Sequence, residues 1–277
     1  MHDGGHRHLR TIERTGDLIG LSCSYVVDVE QPEPGIHNRN RLPFSRLFLV
    51  AAATVDDRVT LGRRHWPLRA GTVLFMPPDQ MLQFDFSPGL RMVACHFRLD
   101  WAPGCDAFDG VANCATLTDR VLVAEAYRLR DQAESFAGIA GLRGLILSTA
   151  ARFARLDARM LARHLAARGR FAAVIERLDR ADAGMRVSDL AAMMGLGREH
   201  FTREFRRHLG LSPMRWLHRR LVQRASAALI AGARVKAVAG DLGFTDEFYF
   251  SRFFKARTGL APSALRDGAL SAYAVPE

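Results

Sequence analysis

Apolar positions along the chain change from strand spacing to helical spacing, and the last third then repeats itself. Residues 18–100 carry short apolar runs punctuated by turn formers. The stretch 47–55 is apolar almost throughout, the pattern of a strand buried on both faces. A turn at Asp56-Asp57 leads to a strand over 59–61, and Arg69-Ala70-Gly71 leads to another over 73–76, which Pro77-Pro78 stops. Leu82, Phe84 and Phe86 alternate with Gln83 and Asp85. Met92, Ala94 and His96 alternate with Val93, Cys95 and Phe97. Many short, closely spaced strands predict a β-sandwich or jelly-roll barrel.

Residues 118–165 switch to helical spacing. Val121, Leu122, Glu125, Leu129 and Gln132 fit one helix. Leu142, Leu145, Ile146, Thr149, Phe153, Leu156 and Met160 fit a second. The second holds more apolar surface than a lone surface helix needs, which suits either a dimer contact or packing on the barrel. At the N-terminus, residues 1–10 are polar and Gly-rich and read as a disordered tail, with His2, His6 and His8 in no fixed ligand geometry.

The last third repeats itself. Phe201-Thr202-Arg203-Glu204-Phe205 aligns with Phe250-Ser251-Arg252-Phe253-Phe254, and Gly210-Leu211-Ser212-Pro213 with Gly259-Leu260-Ala261-Pro262, both at an offset of 49. Upstream, Val187, Ala191, Gly195 and Leu196 align with Val235, Ala239, Gly243 and Phe244 at an offset of 48. The extra residue falls in the turn. Each copy predicts a helix-turn-helix: a short helix with a small Ala where a second helix crosses, a Gly that ends it, then a helix burying two Phe four residues apart. The first of these second helices exposes Arg198, Glu199, Thr202, Arg203 and Arg206. In the other copy Thr245 or Asp246 is the expected N-cap. Residues 213–231 join the copies as one helix, started by Ser212-Pro213 and about 28 Å long. That is close to the ~34 Å between successive major grooves on one face of DNA. Arg215, Arg219, Arg220 and Arg224 line this spacer.

Charge sharpens the picture. The chain carries +10, and residues 168–268 hold 19 Lys+Arg against 10 Asp+Glu, so nearly all the excess sits with the repeat. Concentrated positive charge suits a polyanion. Only Lys236 and Lys255 are lysines, so an arginine bias contributes as well. The four cysteines show no metal-type spacing and are expected reduced. No apolar run is long enough to span a bilayer and no signal-peptide core is present, which predicts a cytoplasmic protein without membrane contact.

The residues of 168–267 resemble the AraC/XylS family of bacterial regulators: the Gly243-Phe244 turn, the run Phe250 to Lys255 and the closing Gly259-x-x-Pro262. The resemblance implies seven helices, asymmetric sites on double-stranded DNA, and promoter control, more often activation, through RNA polymerase. By position in the motifs it places base contacts on Glu199, Thr202 and Arg203, and on Glu247, Phe248, Tyr249 and Arg252, with Asp246 in the same DNA-binding set. Arginine can hydrogen-bond guanine O6 and N7 together, which favours Arg203 and Arg252. Arg206, Arg207, Lys255 and Arg257 suit phosphates or solvent, and Arg198 belongs to the same DNA-binding set. Glu199 and Glu247 suit either cytosine N4 or the helix N-terminus. Core packing competes with DNA contact at Phe248 and Tyr249.

The N-terminal strands resemble the cupin-like sensing domain of such regulators, through Arg69 to Val73, Pro77-Pro78 and His96-Phe97. A metal-binding cupin needs a His-x-His pair, a Glu and a later His. Here His37-Asn38-Arg39 offers one His and the Gln83 region none, so neither metal nor cofactor is expected, and no nucleophile–base pair marks an enzyme. For a small-molecule effector the candidates are His37, Arg39, Arg46, His65, Trp66, Phe84 and His96, an arginine-plus-aromatic set suited to a sugar, a carboxylate or an aromatic compound.

The expected architecture is α+β: a disordered tail (1–10), a cupin- or jelly-roll-like barrel (11–115), a helical linker and dimerisation pair (116–166), an all-α double helix-turn-helix domain (167–268) and a tail (269–277). It describes a homodimeric, effector-responsive regulator. The alternatives are a regulator whose barrel only dimerises, and a cupin metalloenzyme.

Overall fold

The computed structural model describes residues 20–30, 35–102, 105–154 and 158–267. Both expected tails, and Leu156, lie outside them. The chain forms two compact units that part between Ala154 and Arg155.

Among the described residues the N-terminal unit has ten strands: β1 (Gly20–Glu30), β2 (Ile36–Arg41), β3 (Ser45–Ala52), β4 (Arg58–Leu61), β5 (Arg64–Pro67), β6 (Thr72–Met76), β7 (Met81–Phe86), β8 (Arg91–Ala102), β9 (Cys105–Asp106) and β10 (Ala115–Thr118). They form two antiparallel sheets, β1-β8-β3-β6-β10 with β9 beside β8, and β2-β7-β4-β5. Among the described residues no strand pair joins the sheets, so the arrangement is a two-sheet sandwich and not the closed barrel expected from the strand spacing. The sheets meet through aromatic rings: Phe48 of β3 lies 6.2 Å from Phe84 and 6.1 Å from Phe86 of β7.

Strand β7 keeps the strict alternation, with Leu82, Phe84 and Phe86 inside. In β8 residues 92–99 are buried throughout, because helices pack on one face of this sheet and the smaller sheet meets the other. The apolar run 47–55 ends as a strand at Ala52. Val55 is 78% exposed in a turn organised by buried Asp57, whose carboxylate accepts from the Thr54 and Ser87 amides at 2.5 and 2.6 Å.

Two helices pack on the larger sheet: α1 (Arg120–Arg130), capped by Asp119, and α2 (Phe136–Ala151), capped by Ser135. Helix α1 buries Val123, Ala126 and Leu129 and leaves Val121 81% exposed, so its inward face is rotated from the expected one. The N-cap Asp119 sets the phase: from there the sheet meets positions 123, 126 and 129. Helix α2 buries Leu142, Leu145, Ile146 and Thr149 as expected but stops at Ala151. The chain turns there, and Phe153 stacks on Phe75 of β6, centroids 5.1 Å apart. Met160 therefore belongs to the next helix, and the helical segment expected at 116–166 is divided between the two units.

The C-terminal unit is all helical: α3 (Ala158–Asp179), α4 (Val187–Met193), α5 (Arg198–Leu209), α6 (Pro213–Ile230), α7 (Val235–Asp241), α8 (Glu247–Thr258) and α9 (Pro262–Arg266). Helix α3 kinks at Phe171, which leaves helical geometry at φ −108°, ψ 16°. The fully buried Phe171 ring sets its edge against Phe205 at 5.3 Å, and Phe205 meets Trp216 of α6 at 5.8 Å. This aromatic cluster ties the first helix-turn-helix to the spacer helix α6.

Candidate nucleic-acid interface

The repeat in sequence is a repeat in hydrogen bonds. Gly195 and Gly243 both take positive φ, 64° and 74°, where a side chain is strained. The residue after each turns its amide back onto the first helix: Leu196 N–H to Ala191 O at 3.0 Å and Phe244 N–H to Ala239 O at 2.9 Å. Helices α5 and α8 then run twelve residues each and end on Gly210 and Gly259, both left-handed. Phe201, Phe205, Phe250 and Phe254 are wholly buried. Their burial fixes which face of each helix turns outward.

On α5 the outward face carries Arg198, Glu199, Arg203, Arg206 and Arg207, all exposed. Among the described residues Arg198, Arg203 and Arg206 make no ion pair. Arg207 is tied to Glu204 at 2.9 Å, and Glu204 also holds Arg170 of α3 at 3.1 Å, which turns this pair toward holding the helix in place. Thr202 is half-buried, and its hydroxyl donates to Arg198 O at 2.8 Å. His200, not singled out by its residue type, is exposed in the first turn of the same helix.

On α8 the outward face differs in character. Phe248 is 79% and Tyr249 53% exposed, so Phe248 is no core residue. Tyr249 leans on Phe244, centroids 5.8 Å apart. Of the two expected caps it is Asp246 that serves: its carboxylate accepts from the Phe248 amide at 2.7 Å. Glu247, Ser251, Arg252 and Lys255 share a hollow of about 240 Å³ with the start of α9. Arg257 turns inward, its guanidinium 3.9 Å from the Phe253 ring centroid and 3.0 Å from His218 Nδ1 on α6.

The spacer α6 spans 18 residues, about 27 Å. Two of its arginines hold the unit together rather than lining an outer surface. Arg220 meets Asp179 of α3 at 2.7 Å, and Arg224 donates to Ala181 O at 2.7 Å. Arg215 alone of the four is exposed. Sequence spacing places such residues on a helix but does not show which of them meet a neighbouring helix.

The effector candidates divide into two groups. Arg46, Phe84 and His96 come together inside the sandwich. Arg46 of β3 and His96 of β8 are register partners, the Arg46 guanidinium lies 4.9 Å from the Phe84 ring centroid, and its Nη1 donates to Asn40 at 2.7 Å. Burial, and then the adjacent Arg46 charge, hold His96 well below the ordinary histidine range. Burial likewise pushes the nearby Cys114 thiol up to about 12, with Arg46 opposing it. His37 and Arg39 project from the outer face of β2, where His37 meets Asp85 at 3.1 Å. His65 is exposed and Trp66 half-buried. Among the described residues no three His, Cys, Asp or Glu side chains are placed to hold a metal.

Two helix-turn-helix units on one spacer, each offering the outward face of its second helix, define a double helix-turn-helix domain. Residues 190–268 match a family model described as a helix-turn-helix domain. The chain is 33% identical over 89 residues to the arabinose operon regulatory protein of Escherichia coli, covering 32% of this chain and 30% of that protein. The Salmonella typhimurium protein of the same name matches at 33% over 89 residues, 32% of each chain. The chain thus spans about a third of the length of these curated relatives. With its repeat, its turns and these matches, the C-terminal unit is a helix-turn-helix domain of the AraC/XylS family.

The fold as a whole is similar to ToxT of Vibrio cholerae. One structure of it aligns with TM-score 0.55 at 10% identity, covering 91% of this chain and 100% of that one. Another, described as bound to an unsaturated fatty acid, aligns with TM-score 0.53 at 12% identity, covering 94% and 98%. No described helix is long and apolar enough to cross a membrane.

Proposed function

We propose that this chain is a sequence-specific regulator of transcription that binds double-stranded DNA through α5 and α8. The observation that carries this is the matched pair of outward faces: the same backbone hydrogen bond at each turn and four buried phenylalanines orient Arg198, Arg203 and Arg206 on one helix and Phe248, Arg252 and Lys255 on the other, all exposed. Arg203 and Arg252 read guanine edges, Phe248 and Tyr249 meet thymine methyls, and Arg198, Arg206 and Lys255 take phosphates. Glu199 and Glu247 belong to the same faces, while Asp246 and Thr202 shape them.

The test is a mobility shift on the DNA upstream of the protein's own and neighbouring genes, with graded salt. The expected result is a specific complex of Kd about 10⁻⁸ M or tighter, well separated from non-specific binding. Equal affinity for every fragment overturns the proposal.

The N-terminal unit supplies the input and the dimer. The interior cluster of Arg46, Phe84 and His96 is the place for a small polar effector; ToxT, of similar fold, has been solved with a fatty acid bound. Val121, Phe136, Ile139 and Leu147 are apolar and 81%, 87%, 47% and 37% exposed on α1 and α2, a surface suited to a second copy. Activation through RNA polymerase in the cytoplasm completes the reading. Thermal shift against a metabolite panel separates it from an N-terminal unit that only dimerises, since a ligand of the native state raises the melting temperature.

A further inference from the structure

The N-terminal unit has a hollow lined by none of Arg46, Phe84 and His96. It lies at the seam between the larger sheet and α1 and encloses about 470 Å³, within the range of small-molecule sites. Val50, Val123 and Ala124 give it apolar walls; Arg91, Arg120 and Tyr127 give it polar ones. Among the described residues neither Arg91 nor Arg120 makes an ion pair. Both guanidiniums are exposed, so the lining of the hollow carries positive charge.

The seam is built rather than incidental. Gly71 N–H donates to Val50 O at 2.8 Å, and Asp119 N–H donates to Gly71 O at 2.9 Å, so strand, turn and helix start are held together by backbone. A Cβ on Gly71 would fall 2.7 Å from Arg120 Cγ, so the arginine stem lies directly on the glycine and its swing is limited. Arg130 sits over the Tyr127 ring, 5.1 Å from its centroid, and steadies that wall.

We infer that this seam binds a small organic carboxylate. Arg91 from β8 and Arg120 from α1 take the carboxylate by charge-assisted hydrogen bonds, and Val50, Val123 and Ala124 take a short aliphatic or aryl body. The ligand bridges sheet and helix and braces α1 against the strands. A neutral sugar leaves both cations unanswered, and an inorganic anion leaves the apolar wall uncovered.

The experiment is calorimetric titration of the full chain with benzoate, hexanoate and octanoate, with benzamide and inorganic phosphate as controls. At least one carboxylate is expected to bind saturably, more tightly than either control. Arg120→Gln is expected to weaken it at least about tenfold, the loss of one charge-assisted contact. Ala124→Phe keeps every charge, fills the hollow from an exposed helix position, and is expected to abolish binding. Circular dichroism of both variants confirms that they fold. No saturable binding by any of the three up to about 10 mM, equal binding of phosphate, or binding indifferent to both substitutions overturns the inference. DNA binding by the same preparations tests the regulator reading separately, because no residue of the seam belongs to the C-terminal unit.

Discussion

Two phenylalanines two residues apart on α8 give the sharpest test of how this helix is used. Phe250 is wholly buried, and Phe248 is 79% exposed. A phenylalanine carries on the order of 200 Å² of surface, so about 150 Å² of Phe248 is free for contact. If DNA covers half of that, about 75 Å² at about 25 cal/mol/Å² is worth about 2 kcal/mol, or about 20-fold in Kd. Phe248→Ala is therefore expected to leave folding stability within about 0.5 kcal/mol of the parent and to weaken target DNA about 20-fold. Phe250→Ala removes a ring packed against Phe244 and Phe254 at 5.2 and 5.8 Å and is expected to cost about 3–5 kcal/mol of stability. Urea titration followed by circular dichroism reads stability, and fluorescence anisotropy with labelled target DNA reads affinity. The reasoning is refuted if Phe248→Ala binds as the parent does, or if it destabilises the unit by as much as Phe250→Ala.

Three further expectations follow from the same geometry. Arg203→Ala and Arg252→Ala should each cost about 1–3 kcal/mol on target DNA and blunt discrimination against a scrambled site, whereas Arg206→Ala should weaken both DNAs alike and lower the salt slope by about 1, all measured by anisotropy across a salt series. Because His96 titrates lower in the folded than in the unfolded chain, the unfolded state binds the extra proton. Stability is therefore full above about pH 6.5 and falls below it by up to about 1.4 kcal/mol per pH unit; His96→Asn should flatten part of the pH dependence of the thermal midpoint, the rest belonging to His218, which burial and then Arg257 also hold low. Gly195→Ala, with open space around the new Cβ, should cost only the roughly 1–2 kcal/mol of left-handed strain, and Gly243→Ala should cost more, since its Cβ falls 2.7 Å from that of Asp182; urea midpoints rank them.

The C-terminal unit was legible because its constraints are local and stated twice. A glycine at the end of each first helix and two phenylalanines four apart in each second helix fix both turns, and the 48- and 49-residue offsets show that neither pattern is accidental. What was not legible is contact between distant elements. Nothing in the composition of 158–179 says that Phe171 breaks its helix to reach Phe205, or that Arg220 and Arg224 face inward to Asp179 and Ala181. In the N-terminal unit, strands were legible wherever one face repeats, as in β7. Closure was not: whether two sheets join into a barrel depends on edge strands that sequence spacing does not register. For the effector set, period two at 36–41 separates Asn40 inside from His37 and Arg39 outside, a signal present in the sequence. That Arg46 and His96 are partners required the β3–β8 register.

The two recognition helices share a scaffold but not a surface, and the difference has a consequence for binding. Helix α5 presents unpaired arginines and no exposed aromatic, so its contribution is chiefly ionic and falls as counterions compete. Helix α8 adds the exposed Phe248 and Tyr249, and the contact with base methyls proposed for them is insensitive to salt and fixed by sequence. Raising salt should therefore strip the first unit's hold before the second's, leaving a complex anchored through α8 at its half-site. Footprints at low and high salt should differ in length, the retained half being the one that Phe248→Ala weakens. A footprint that fades evenly over both halves as salt rises would show that the two faces bind by the same physics despite their different side chains.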